Sequence, residues 1–134
     1  MEPELTAEAA AHVAEFRAAL RKFLRTSERV ARASGLTPQR QLLMLMIKGA
    51  PGLTERSTVT DLAERLQLAQ STVTELVRRA EEVGLIEREA SEKDGRVVLL
   101  RLTAEGEQRL ARSFTALAAE RAELRSAFAH FEES

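Results

Sequence analysis

The chain has no cysteine, which excludes disulfides, thiolate metal sites and thiol redox sensing within its 134 residues. Histidine is nearly as scarce: His12 and His130 stand near opposite ends, a poor basis for a ligand cluster. With no cysteine nucleophile and no glycine-rich loop to cradle phosphate, no catalytic constellation is legible. The expectation is a non-enzyme with no cofactor and no metal. Long apolar runs are missing as well. The longest, LLMLMI at 42–47, is far shorter than the roughly 20 residues needed to span a bilayer. The opening MEPEL is acidic without an apolar segment, so a cytoplasmic protein is expected. Nor does one sign of charge prevail. The net charge is −1, and residues 39–103 hold ten basic and ten acidic side chains, so composition alone gives no electrostatic case for a nucleic-acid partner.

What is present begins with 44% hydrophobic residues, enough to bury a core in a single domain spanning 1–134. Both ends carry long helical patterns. Val13, Phe16, Leu20, Phe23, Ser27 and Val30 alternate three and four apart, the spacing of a coiled-coil seam. Leu110, Phe114, Leu117, Arg121, Leu124, Phe128 and Phe131 repeat it at the C-terminal end. All five phenylalanines lie on these seams, so the largest apolar side chains are kept out of the middle of the chain. Packing the seams on each other within one chain would enclose both poorly. A second copy supplying two more helices completes a bundle, and a homodimer is expected over Phe16, Leu20, Phe23, Phe114, Leu117, Leu124, Phe128 and Phe131. Ser27 and Arg121 interrupt the two seams, as register devices or, for Arg121, as a partner for an acidic residue or an anionic effector. The pairs Glu81-Glu82 and Glu132-Glu133 read as solvated helix surface.

Between the seams, Leu62, Ala63 and Leu66 space one short amphipathic helix, Leu68 falls in a tight break, and Val73, Leu76, Val77 and Ala80 space a second. This is helix-turn-helix grammar. The β-prone runs IEREA and RVVLLRLT follow, flanking SEKDG, whose Asp94-Gly95 pair predicts a tight hairpin turn. Upstream, Thr37 is placed to cap a helix that Pro38 opens. GAPGLTERST reads as a loop, Thr60 with Asp61 as the start of the third helix, and Thr103 as the cap of the last. The fold class is therefore mainly α: a winged helix-turn-helix lobe over 37–103 with a two-stranded β wing, flanked by dimerisation helices over 5–33 and 104–131.

These elements resemble the MarR family of transcriptional regulators. The resemblance is carried by LTPQ at 36–39, DLAERL at 61–66, STVTELVRR at 71–79, GLIERE at 84–89, and the wing Asp94-Gly95-Arg96 followed by Leu102-Thr103. It implies a dimeric DNA-binding regulator whose terminal helices pair, with Asp94 bracing the guanidinium of Arg96. It also implies a response to small phenolic or other lipophilic effectors held between the lobe and the dimer helices. Three residues depart from the family pattern. Gln67 stands where glycine is frequent, Ala69 replaces a frequent serine cap and leaves Gln70 or Ser71 as alternative caps, and Glu75 replaces a frequent basic residue.

Helix geometry selects the readers of DNA. With Val73, Leu76, Val77 and Ala80 facing inward, Ser71, Thr74, Glu75 and Arg78 share the outward face, and Gln70 and Thr72 lie beside them. A recognition helix presents such residues to base edges in the major groove. Glu75 has two roles open to it, accepting from cytosine N4 or pairing with Arg78 or Arg79, and the spacing favours the pair. At the wing, Lys93 and Arg96 flank a protruding turn suited to a narrow minor groove. The expected function is a sequence-specific transcriptional regulator, a repressor relieved by an effector, that binds a pseudo-palindromic operator in double-stranded DNA. The balanced charge, Glu75 on the reading face, and Glu89 and Glu92 near the wing motivate a rival, a winged-helix dimer that binds another protein.

Overall fold

The computed structural model describes residues 2–132, the side chain of Glu132 excepted, so the Glu132-Glu133 pair lies outside the described residues. Six helices and one hairpin follow in the order α1 (Ala7–Ala33), α2 (Pro38–Lys48), α3 (Val59–Leu66), α4 (Gln70–Glu82), β1 (Ile86–Ala90), β2 (Val98–Leu102), α5 (Ala104–Ala116) and α6 (Ala118–Glu132). Side-chain hydroxyls set most helix starts. Thr6, Thr37 and Thr103 each accept from the backbone N–H three residues on, at 3.1, 3.2 and 3.0 Å. The third helix starts earlier than Thr60: Thr58 is the cap, its Oγ1 accepting from Asp61 N at 3.1 Å. That start brings Val59 into the helix and onto the core.

The core of the lobe is one continuous cluster. Leu43, Met44 and Ile47 of α2, Leu62 of α3, Val73, Val77 and Ala80 of α4, Leu85 beside β1 and Leu100 of β2 are all fully buried. Strands β1 and β2 pair antiparallel from Ile86 with Leu102 to Ala90 with Val98. That register leaves seven residues between the strands, so the turn differs from the expected two-residue Asp94-Gly95 form. The chain closes through a turn in which Val97 N donates to Asp94 O at 2.9 Å, which makes Gly95 and Arg96 its central residues. Ser57, read as loop, adds a single bridge to the free edge of β2 and exchanges two hydrogen bonds with Leu100 at 3.1 and 2.8 Å.

The C-terminal seam is two helices rather than one, broken at Leu117. There Leu117 N reaches back to both Ser113 O and Phe114 O, while Ser113 Oγ donates to Leu110 O at 2.9 Å, a back-bond that bends helices. The guanidinium of Arg121 donates to Phe114 O and lies over the Phe114 ring, 3.7 Å from its centroid. Arg121 thus serves a frayed helix end with a cation, and among the described residues it pairs with no carboxylate. Ser27, the other seam interruption, donates to Gln41 Oε1 at 2.9 Å and ties α1 to α2.

Helices α1 and α6 pack on each other, with Phe16 stacked 4.9 Å from Phe131 and tilted 5.8 Å from Phe128. The chain therefore pairs its own seams, though incompletely. Leu117 is buried within the chain, while Val13, Leu24, Phe114 and Phe128 stay more than two-fifths exposed. Among the described residues no helix is long and apolar enough to cross a membrane, and no group of acidic or histidine side chains is arranged to hold a metal ion.

Candidate nucleic-acid interface

The turn between α3 and α4 depends on Gln67, which adopts the left-handed conformation (φ 57°, ψ 45°) that a glycine would enter without steric cost. Its side chain offsets that cost by donating from Nε2 to Glu64 O at 2.7 Å, so one of the last carbonyls of α3 is satisfied. The same turn is tied by Leu68 N to Ala63 O at 3.0 Å. Ala69 opens α4 with no side-chain cap, and neither Gln70 nor Ser71 takes that role. No side chain caps the first-turn amides of α4.

On α4 the two faces separate as the periodicity requires. Val73, Val77 and Ala80 are fully buried and Leu76 is half-buried, while Gln70, Ser71, Thr72, Thr74 and Arg78 are exposed. Glu75 is intermediate because it is engaged. Its Oε1 accepts from Arg78 Nη2 at 2.6 Å and from Arg79 Nε at 3.1 Å, and its Oε2 accepts from Arg78 Nε at 2.9 Å. These hydrogen bonds, Arg78's first, hold the Glu75 carboxyl at about 2, so it is anionic throughout the physiological range. The Arg78 guanidinium is raised above its usual value, chiefly by its hydrogen bond to Glu75. Its remaining Nη1 contacts Glu82.

At the wing, Asp94 Oδ1 accepts from Arg96 N at 3.1 Å and lies 3.4 Å from Arg96 Nε, while the Arg96 side chain is 93% exposed. Ser91 Oγ accepts from the N–H groups of Lys93 and Asp94 and shapes the loop from inside. Among the described residues the Lys93 ammonium has no acidic partner.

Several contributors were not legible beforehand. Arg56 Nε meets both carboxylate oxygens of Glu89 at 3.1 Å, and Arg101 pairs with Glu87 and Glu89, so Glu89, one of the two acidic residues near the wing, is already partnered. Glu81 is not merely solvated, since both its oxygens accept from Arg88 Nε. The intrahelical members, Glu75 with Arg79 and Arg78 with Glu82, are visible as four-residue spacings. The pairs from Arg56 to Glu89 and from Arg88 to Glu81 exist only once the sheet has formed.

Behind the lobe, an apolar groove of about 370 Å³ lies between α1, α2 and α5, walled by Phe23, Leu24, Leu42, Leu45 and Phe114 with Arg121 at its edge.

Comparison with known proteins agrees with this architecture. Residues 34–97 match the MarR family. A protein named for transcriptional regulation of the hcr operon in Thauera aromatica is 35% identical over 95 residues, covering 71% of this chain and 53% of that protein. The chain thus spans about half the length of this curated relative. Among solved structures, apo MarR from E. coli superposes with a TM-score of 0.68 at 18% identity, covering 93% of this chain and 86% of the other. A MepR variant from S. aureus, solved bound to an oligodeoxyribonucleotide, gives 0.65 at 21% identity over 92% and 84%. Residues 34–97, on which the winged helix-turn-helix is built, are thus a MarR-family segment, and the fold around them is shared with these solved structures over nearly the whole length.

Proposed function

We propose that the chain is a transcriptional regulator, not an enzyme, that binds a pseudo-palindromic operator in double-stranded DNA as a homodimer and acts in the cytoplasm as a repressor. The observation that carries this reading is the division of α4. One face packs into the core, and the other exposes hydroxyls, Gln70 and Arg78 beyond a first turn with no side-chain cap. Such a helix end suits phosphate, and the side chains after it suit base edges. Arg96, exposed at the tip of the wing, adds a cation for an adjacent minor groove.

Selection from a random duplex library tests it. An inverted repeat is expected, with affinity falling steeply as salt rises. Arg96→Ala is expected to weaken the selected site about tenfold and make the salt dependence shallower by about one unit of logarithmic slope. Absence of any enriched duplex would defeat the proposal. The pairing of Arg56, Arg78, Arg79, Arg88 and Arg101 with carboxylates favours the protein-partner reading as the second choice. That reading requires an interaction with little response to salt.

The groove behind the lobe is the proposed effector site, and Arg121 is its anion-binding group. Benzoate should loosen the operator complex of the wild type, phenol should do so less at equal concentration, and Arg121→Met should abolish the difference between them in a DNA-binding titration. Equal responses of wild type and variant would remove Arg121 from the effector site.

A further inference from the structure

Arginine offers two donor edges in one plane, the side edge formed by Nε and one Nη, and the end edge formed by the two Nη groups. In Arg78 these edges meet different partners. Glu75, one turn nearer the start of α4, takes the side edge with both its oxygens, at 2.9 and 2.6 Å. Glu82, one turn beyond, touches only Nη1 and therefore only half of the end edge. Guanine O6 and N7 are read by two parallel donors, and the end edge of Arg78 supplies them once Glu82 is displaced. The Glu75 clamp does not need to open for this to happen. Arg79 Nε adds a third bond to Glu75 at 3.1 Å, so the buttress is itself held in place.

We infer that Glu75 is a positioning residue that aims the end edge of Arg78 at a guanine in each operator half-site, and that Glu82 is the carboxylate this guanine displaces. The inference rests on the DNA-binding reading and extends it to one base. Glu75 thereby has a role other than reading cytosine. Its lone pairs are committed to two guanidinium groups, and the group of Glu75, Arg78, Arg79 and Glu82 carries no net charge to repel DNA.

The test measures, for the full chain, both the base preference at every operator position and the affinity for an unrelated duplex. Wild type is expected to prefer guanine at one position per half-site by about tenfold or more, the discrimination typical of a bidentate pair. Arg78→Lys, which keeps the charge but cannot make two parallel bonds, should erase that preference and weaken the selected site more than the unrelated duplex. Glu75→Gln should shrink the preference to within about threefold at the same position only, with binding of the unrelated duplex equal or stronger, because a negative charge has been removed. Glu82→Gln should tighten the selected site and keep the guanine preference. All three side chains are about half exposed, and matched thermal unfolding curves confirm that each variant folds. If Glu75→Gln keeps the full guanine preference, or Glu82→Gln weakens the selected site, the inference is overturned while the DNA-binding reading stands. If wild type selects no duplex, both fall.

Discussion

Gly106→Ala is expected to destabilise the protein by about 1–3 kcal/mol, lowering the thermal midpoint by roughly 3–15 °C. Gly106 lies in the first turn of α5, where the helix passes directly over the end of the turn before β1. A Cβ there would sit 2.3 Å from Leu85 O and 3.2 Å from Leu85 C, both of them backbone atoms. The carbonyl cannot swing aside, since it accepts from Thr103 N at 3.0 Å and Leu85 N is bound to Ala80 O at 2.9 Å. Moving the helix instead would break the Thr103 cap, whose hydroxyl accepts from Gly106 N and donates to Gly84 O at 2.6 Å. Overpacking costs about 1–3 kcal/mol and loss of a cap about 1 kcal/mol, against up to about 1 kcal/mol of helix propensity in favour of alanine. Gly95→Ala is the control. Nothing lies within 4 Å of a Cβ at Gly95, and its φ is not positive, so thermal unfolding should barely change. An unchanged midpoint for Gly106→Ala would mean that α5 can slide on β1 at little cost.

That close contact also shows what was legible in the sequence. Local chemistry was readable: Thr37 and Thr103 cap as their spacing implies, and the inward side chains of α4 follow the helical period. Competition between equivalent local signals was not. Thr58 and Thr60 can each begin a helix, and only the burial of Val59 decides between them. The Asp94-Gly95 pair is a sound turn signal, yet the pairing of Ala90 with Val98 moves the turn one residue on. A seam that keeps perfect spacing through Leu117 gives no sign of the break there, where Leu117 N and the side chains of Ser113 and Arg121 bond to backbone carbonyls. At the candidate site, the outward row of α4 and the brace from Asp94 to Arg96 were readable from spacing or resemblance. The carboxylates that occupy Arg56, Arg88 and Arg101 become visible only in three dimensions.

Phe114→Glu is expected to convert the proposed homodimer to a monomer at micromolar concentration and to weaken operator binding by two orders of magnitude or more. Phe114 is 55% exposed, although it lies on an apolar seam beside Leu110 and Leu117, which the chain buries itself. Exposed phenylalanine at such a position needs a cover. Leu24, Phe128 and Val13 extend the uncovered surface along α1 and α6, which is the surface a second copy would bury. Covering the exposed half of one phenylalanine contributes about 1–1.5 kcal/mol, and with a two-fold axis that contribution is lost twice. The substitution also carries a carboxylate into the apolar face, and a buried charge is tolerated only when paired. Within the monomer position 114 is more than half exposed, so the carboxylate can stay in water there and the fold should survive. Without the second copy the recognition helices lose their linkage, and the gain of roughly 10²–10⁴ in affinity from binding two half-sites together disappears. Sedimentation equilibrium and an operator titration on the same samples read both effects. A variant that still sediments as a dimer and binds at full strength would place the interface elsewhere than this seam.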